Sequence, residues 1–376
     1  MRVLLLKTSS LGDLVHMLPA LSDAAKRISN LRVDWVAEES FAAVPAWHPA
    51  VGKVIPVAMR RWRKSLLRST TWQDIGTARR AMRASRYDTV VDAQGLLKSA
   101  WLARWARQPV TGYDRHSIRE PLASLFYAHR VAISRELHAI ERNRRLLAAA
   151  LGYEMDDLPL DYGLADFLPL PSRERVGERV GERVGERVGE RGRPPSLDAQ
   201  ILAVGSTLSP TPPSAQPLPR QGGGGEIQGC GVDNFVLALH GTSREDKEWP
   251  EENWITVGHA LAAQNRALVL PWGNAREKER AARIAAAVPQ ARVLPRLGLD
   301  ELAAIIARAD VVLGVDTGLM HVAAALRKPG LALFPATLPA LTGVRSEPGA
   351  PQIASLTPQD DLSANTVLSR LEALLA

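Results

Sequence analysis

The chain has 376 residues, 46% hydrophobic and 23% charged, the balance of a soluble globular protein with enough residues for two cores. A formal net charge of +7 and a pI near 9.8 favour an anionic partner, whether nucleic acid, a membrane surface or a phosphorylated substrate. The single cysteine, Cys230, excludes an internal disulfide and a cysteine metal cluster.

The apolar run 3–6 is cut short by Lys7, too soon for a signal peptide or a spanning helix. This predicts a cytoplasmic protein whose contact with a membrane is peripheral. Lys7-Thr8-Ser9-Ser10-Leu11-Gly12-Asp13 then leads from that strand into a helical pattern at 14–28. Such a turn offers free amides and a helix dipole to an anion. Asp13 reads either as a first-turn dipole partner or as a general base at the mouth of a cleft. The turn has neither the P-loop spacing nor Gly-x-Gly-x-x-Gly.

Further strands are expected at 33–36, 89–91 and 110–112, with helices at 72–84 and 139–151. Between them Arg60, Arg61, Arg63 and Lys64 surround Trp62, and on a helix Met59, Trp62 and Leu66 share a face. This reads as a basic amphipathic segment for an anionic interface. The loop Asp92–Ser99 can place Gln94 and Lys98 in the cleft. At 174–189 the chain runs through four copies of Glu-Arg-Val-Gly, and 194–231 is rich in Pro, Ser, Gly and Gln. Neither stretch can build a core, so 172–231 is expected to be a disordered insert.

The second half repeats the alternation: strands at 235–239, 267–271, 292–294, 311–314 and 331–334, helices at 254–264, 276–287, 299–309 and 319–326. His240-Gly241-Thr242-Ser243, Lys247 and Glu277 follow strand ends, as does Asp316-Thr317-Gly318 with His321 three residues on. Together they suit a nucleotide diphosphate. A last amphipathic stretch lies at 362–375. The expected organisation is therefore α/β: domains at 1–171 and 232–357, each a parallel sheet with helices on both faces, with 358–376 packing back across them. A cleft between them suits transfer from a phosphorylated donor to an acceptor.

Five blocks resemble the bacterial lipopolysaccharide heptosyltransferases, and within that family the heptosyltransferase I group. They are Lys7–Asp13, Asp92-Ala93-Gln94-Gly95-Leu96, Arg119-Glu120-Pro121-Leu122-Ala123-Ser124-Leu125-Phe126-Tyr127, Asp246-Lys247-Glu248-Trp249-Pro250-Glu251-Glu252 and Val315-Asp316-Thr317-Gly318-Leu319. The resemblance implies a GT-B fold, two Rossmann-like domains with the site between them. It further implies inverting transfer of L-glycero-D-manno-heptose from ADP-heptose to the inner Kdo of Kdo-lipid A, at the inner leaflet of the cytoplasmic membrane, with no metal, cofactor or nucleic acid. By the same likeness Asp13 is the base and Lys247 assists the chemistry. Thr242, Ser243, Lys247, Glu277, Leu297, Asp316, Thr317, Gly318 and His321 hold the donor. Ser10, Arg60, Arg61, Arg63, Lys64, Gln94 and Arg119 meet the acceptor. Ser243 and Leu297 stand where the family pattern leads one to expect threonine and methionine, and the insert replaces a short connection. The competing readings are a heptosyltransferase for a later core position, a non-catalytic relative and a basic nucleic-acid-binding protein.

Overall fold

Two six-stranded sheets, parallel throughout, carry the chain, and each repeats one strand order. The computed structural model describes residues 1–167 and 233–376; the expected insert at 172–231 lies outside the described residues. The first half runs β1 (Arg2–Leu6), α1 (Leu11–Val15), α2 (Leu18–Arg27), β2 (Arg32–Glu38), α3 (Ala43–Trp47), β3 (Val51–Val57), α4 (Met59–Trp62), α5 (Ser69–Arg83), β4 (Thr89–Asp92), α6 (Leu97–Ala103), β5 (Val110–Tyr113), β6 (His129–Val131) and α7 (Ala139–Leu151). The second runs β7 (Phe235–Leu239), α8 (Glu251–Ala263), β8 (Ala267–Leu270), α9 (Ala275–Ala287), β9 (Arg292–Val293), α10 (Leu299–Arg308), β10 (Val311–Val315), α11 (Gly318–Ala325), β11 (Gly330–Leu333), β12 (Ile353–Leu356) and α12 (Ala364–Leu375).

The orders are β3-β2-β1-β4-β5-β6 and β12-β11-β10-β7-β8-β9, the same doubly wound arrangement in both halves. Central strands are buried on both faces, as parallel sheets require; Val3, Leu4, Leu5 and Leu6 have no exposed surface. The winding reverses between β1 and β4 and again between β7 and β10. Loops at those carboxyl ends therefore splay apart and leave a crevice. The four loops are Lys7–Ser10, Ala93–Leu96, His240–Ser243 and Asp316–Thr317.

Several elements differ from the sequence expectation. The helix expected at 14–28 is two helices: α1 ends at Val15 and α2 restarts at Leu18, with Pro19 in its first turn, where the missing N–H is not needed. The strands β3, β6 and β12 were not expected. All three are sheet edges with partly exposed residues, which blunts the apolar run; β3 even carries Gly52 and Pro56. The basic segment helix stops at Trp62. Trp62 is buried while Leu66 is half exposed, so the two do not share a face. The C-terminal helix α12 places Ala364, Val367 and Leu371 in the core of the second half, beside Trp249, Trp254 and Leu331.

Candidate active site

The first loop is built around one carboxylate. Asp13 sits at the third position of α1 and its Oδ2 accepts from the Ser10 amide (2.7 Å) and the Ser10 hydroxyl (3.0 Å). The other oxygen, Oδ1, has no hydrogen bond among the described residues and stands 4.0 Å from Lys7 Nζ. Lys7 is buried and donates to the Ala93 carbonyl at 2.9 Å. Burial lowers its pKa below the ordinary lysine value, and Asp13 and Asp92 oppose that shift. Ser10, expected to meet the acceptor, is thus spent on orienting Asp13.

Gln94 holds the same loop from the β4 side. Its Oε1 accepts from the Thr8 amide (2.8 Å), the Ser9 amide (3.0 Å) and the Thr8 hydroxyl (3.3 Å). Behind it Asp92, with no exposed surface, accepts from the Gln94 and Gly95 amides and from the Ser99 and Tyr127 hydroxyls. Burial raises the Asp92 pKa and these donors work against that. Asp92 and Tyr127 carried no assigned role in the sequence reading. Their bond spans 35 residues, and no local spacing reports it.

Across the crevice lies a cavity of about 640 Å³ lined by Thr242, Ser243, Glu277, Leu297 and Thr317, with Leu11 and Phe41 closing it from the first half. Glu277 is fixed there by the Gly273 amide and the Asn274 side-chain amide, each at 2.7 Å. At the floor, a Cβ on Gly241 would lie 2.7 Å from the Glu277 carboxyl carbon and would displace that carboxylate. Lys247 and Asp316 stand off the cavity wall as an ion pair at 2.6 Å, and the Thr337 hydroxyl also donates to Asp316 at 2.8 Å. Thr242 donates to the Asp316 carbonyl at 3.2 Å, which ties that pair to the wall. Trp272 and Arg296 also line the cavity and were not singled out from sequence.

The two halves touch where the N-termini of α1 and α11 meet. A Cβ on Gly318 would sit 2.8 Å from Leu11 Cβ and 3.0 Å from the Gly12 amide nitrogen. A Cβ on Gly12 would sit 3.0 Å from the His321 ring. Only glycine lets the backbones approach this closely. His321 was expected to hold the donor. It does lie on the Gly318 face of α11, but that face is turned to α1, and His321 Nδ1 shares a hydrogen bond with His16 Nε2 at 3.0 Å. Burial pushes its pKa down to about 4, and drives that of His16 well below the ordinary value, so both rings are neutral at pH 7.

The basic segment is positioned by Glu38, a buried carboxylate accepting from the amides of Met59 (3.3 Å) and Arg60 (3.1 Å). Arg60 lies over the Phe41 ring, its Cζ 5.6 Å from the centroid, and so reaches the cavity rim. Arg61 differs from the expectation: it pairs with Glu39 (3.0 Å) and Asp74 (2.7 Å), so its charge is already neutralised. Arg63, Lys64 and Arg119 are exposed and have no ion-pair partner among the described residues.

Comparison with known proteins adds four likenesses. The model of "Glycosyltransferase family 9 (heptosyltransferase)" matches residues 75–188 and 206–366. Lipopolysaccharide heptosyltransferase 1 of Pseudomonas aeruginosa is 43% identical over 347 residues, 91% of this chain and 81% of the relative. The solved structure of E. coli heptosyltransferase WaaC with ADP superposes with a TM-score of 0.77 at 36% identity, over 100% of both chains. The same enzyme with ADP-2-deoxy-2-fluoro heptose gives 0.75 at 35%, over 99% of both.

Proposed function

The chain belongs to glycosyltransferase family 9 and is a heptosyltransferase of the lipopolysaccharide inner core with the GT-B fold, and on that premise we propose that it moves L-glycero-D-manno-heptose from ADP-heptose to the inner Kdo of Kdo-lipid A with Asp13 as base. The observation that carries the assignment is the contact of Gly12 with Gly318. It brings Leu11, two residues before Asp13, to the wall of the cavity lined by Thr242, Ser243, Glu277 and Thr317. A donor in that cavity and an acceptor on the first half would then share one reaction centre.

The acceptor hydroxyl gives its proton to Asp13 as its oxygen attacks the anomeric carbon. The bond from that carbon to the diphosphate breaks, ADP leaves, and the configuration inverts. Amides at the start of α11 and the Lys247 ammonium face the charge that develops on the leaving group. Glu277 is suited to accept from the ribose hydroxyls. Arg60, Arg63, Lys64 and Arg119 supply cations for the acceptor's phosphates and carboxylates. No step calls on a metal. A later core position is the less favoured acceptor, because the relative at 43% identity over 91% of this chain bears the heptosyltransferase 1 name. Among the described residues no helix is long and apolar enough to cross a membrane. The acceptor is a lipid, so we place the enzyme peripherally on the cytoplasmic face of the membrane.

The deciding experiment is ADP release from ADP-heptose with and without Kdo-lipid A. Acceptor-dependent release supports the reading; release that ignores the acceptor, or none from folded protein, overturns it. Lys247→Ala is expected to lower turnover by the equivalent of roughly 2–4 kcal/mol, since it removes a preorganised charge and leaves Asp316 uncompensated. Normal turnover would take the lysine out of the mechanism. Arg60→Ala with Arg63→Ala is expected to raise the acceptor KM at least several-fold while the donor KM holds, which initial-rate titration of each substrate checks.

A further inference from the structure

On one flank of the cleft the first half exposes large apolar side chains. Leu97 and Trp101 lie one turn apart on α6 and are 41% and 50% exposed. The short helical segment Pro121–Phe126 packs beside α6 and adds Leu122 (61%) and Leu125 (68%), with Phe126 at their edge. Side chains of this size on a water-facing surface mark an interaction site when they cluster.

The platform is rigid. Trp101 stacks edge-on against the buried Trp105 with centroids 4.8 Å apart. The Leu97 amide donates to Glu120 at 2.7 Å, which ties the two segments, and Arg130 Nε donates to the Ser124 carbonyl at 2.9 Å. Beyond Glu120, whose carboxylate is held by the Leu97 amide, the charge beside it is basic. Arg104 lies with its Cζ 5.8 Å from the Phe126 centroid, and a cavity of about 600 Å³ opens between Arg104, Arg107, Leu125 and Phe126. Neither arginine has an ion-pair partner among the described residues.

We propose that this platform docks the protein on an anionic lipid bilayer, with Trp101, Leu122, Leu125 and Phe126 entering the headgroup layer and Arg104 and Arg107 taking lipid phosphates. Charge complementarity selects the occupant: an apolar patch with an uncompensated guanidinium border fits an interface that is greasy below and negative above. Aromatic rings with a polar edge favour that depth. The proposal rests on the reading of the acceptor as a membrane glycolipid and names the surface that reading requires. Leu97 is three residues past Gln94, which grips the loop that carries Asp13. Docking here brings the cleft lip to the bilayer, so the lipid can stay embedded while its sugar reaches the base.

The test is co-sedimentation of the full chain with vesicles of phosphatidylglycerol and phosphatidylcholine, compared with pure phosphatidylcholine. Two variants are run beside wild type, Leu122→Ser with Leu125→Ser and Arg104→Gln with Arg107→Gln. Wild type should bind the anionic vesicles and favour them over neutral ones, and each variant should lose about tenfold in binding. Turnover of all three on a deacylated, water-soluble Kdo acceptor should stay within about twofold, because these residues lie outside the reaction centre. The proposal is overturned if either pair binds anionic vesicles like wild type, or if wild type binds neutral vesicles equally well. Absence of turnover by wild type on the soluble acceptor would instead sink the transferase reading, whatever the vesicles show. A thermal melt confirms folding, and should one pair unfold, the other, chemically independent, decides the matter.

Discussion

Asp13→Asn is expected to cut turnover by roughly 10²–10⁴-fold, the range a positioned general base supplies, while ADP-heptose binding stays near the wild-type value. Both Ser10 donors converge on a single oxygen, Oδ2. The carboxamide oxygen of asparagine can accept those same two bonds. That choice places the amide nitrogen where Oδ1 stood, and a nitrogen carrying two protons cannot accept a third. The variant therefore keeps the fold of the loop and loses only the proton acceptor. The cavity side chains Thr242, Ser243, Glu277 and Thr317 belong to other strand ends and make no hydrogen bond to Asp13, so donor affinity should survive. Steady-state ADP release and calorimetric titration of the donor check both halves. Normal turnover in the variant would transfer the base role elsewhere, with Lys7, held 4.0 Å away, the first other titratable group to examine.

The amino-acid sequence made the central parts of this fold legible because parallel strands buried on both faces leave unbroken apolar runs. β1, β7 and β10 are such strands, and the loops that follow them carry Asp13, Thr242 and Thr317. Edge strands were missed for the complementary reason: β3, β6 and β12 keep exposed residues and read as loops. Site residues on a strand-end loop could be named from local chemistry, and Thr242, Ser243, Glu277 and Thr317 do line the cavity, as does Leu297, which only the family resemblance implied. Roles that depend on what a helix face meets could not. His321 follows Gly318 by one turn, yet its partner is His16, 305 residues away. Arg61 reads as one more cation in a basic run until Glu39 and Asp74 are placed against it. Asp92 gives the general lesson. A lone aspartate at a strand end looks like a cleft carboxylate, but four converging donors make it the post on which Gln94 and the Lys7–Ser10 loop hang.

Lowering the pH from 7 to 5 is expected to remove about 6 kcal/mol of folding stability through three buried histidines alone. Burial pushes His48, His240 and His321 each down to about 4. In the unfolded chain each titrates near the ordinary 6.5, so between those values the unfolded state holds the extra proton. Stability is then complete above about pH 6.5 and falls as pH drops toward 4, by about 2 kcal/mol per histidine at pH 5. His16 and His138 shift the same way. The raised carboxyls of Asp23 and Asp92 act oppositely, since the folded state takes up their protons more readily. The geometry explains the direction. His48 Nε2 bonds the Ser22 hydroxyl at 3.0 Å and Nδ1 accepts from the Ala50 amide at 3.1 Å, so a second ring proton would confront that N–H. At the His16–His321 contact one proton is shared, and another would set two N–H groups against each other at the joint beside Asp13. A loss of this size matches a large part of the 5–15 kcal/mol typical of a folded protein, so acid should open the molecule well before pH 4. Urea midpoints at pH 7, 6 and 5 measure it, and His48→Gln should shrink the pH 7 to 5 difference by about 2 kcal/mol. A midpoint that does not move across this range would mean that the buried rings can be protonated without cost, and that the joint between the halves tolerates charge.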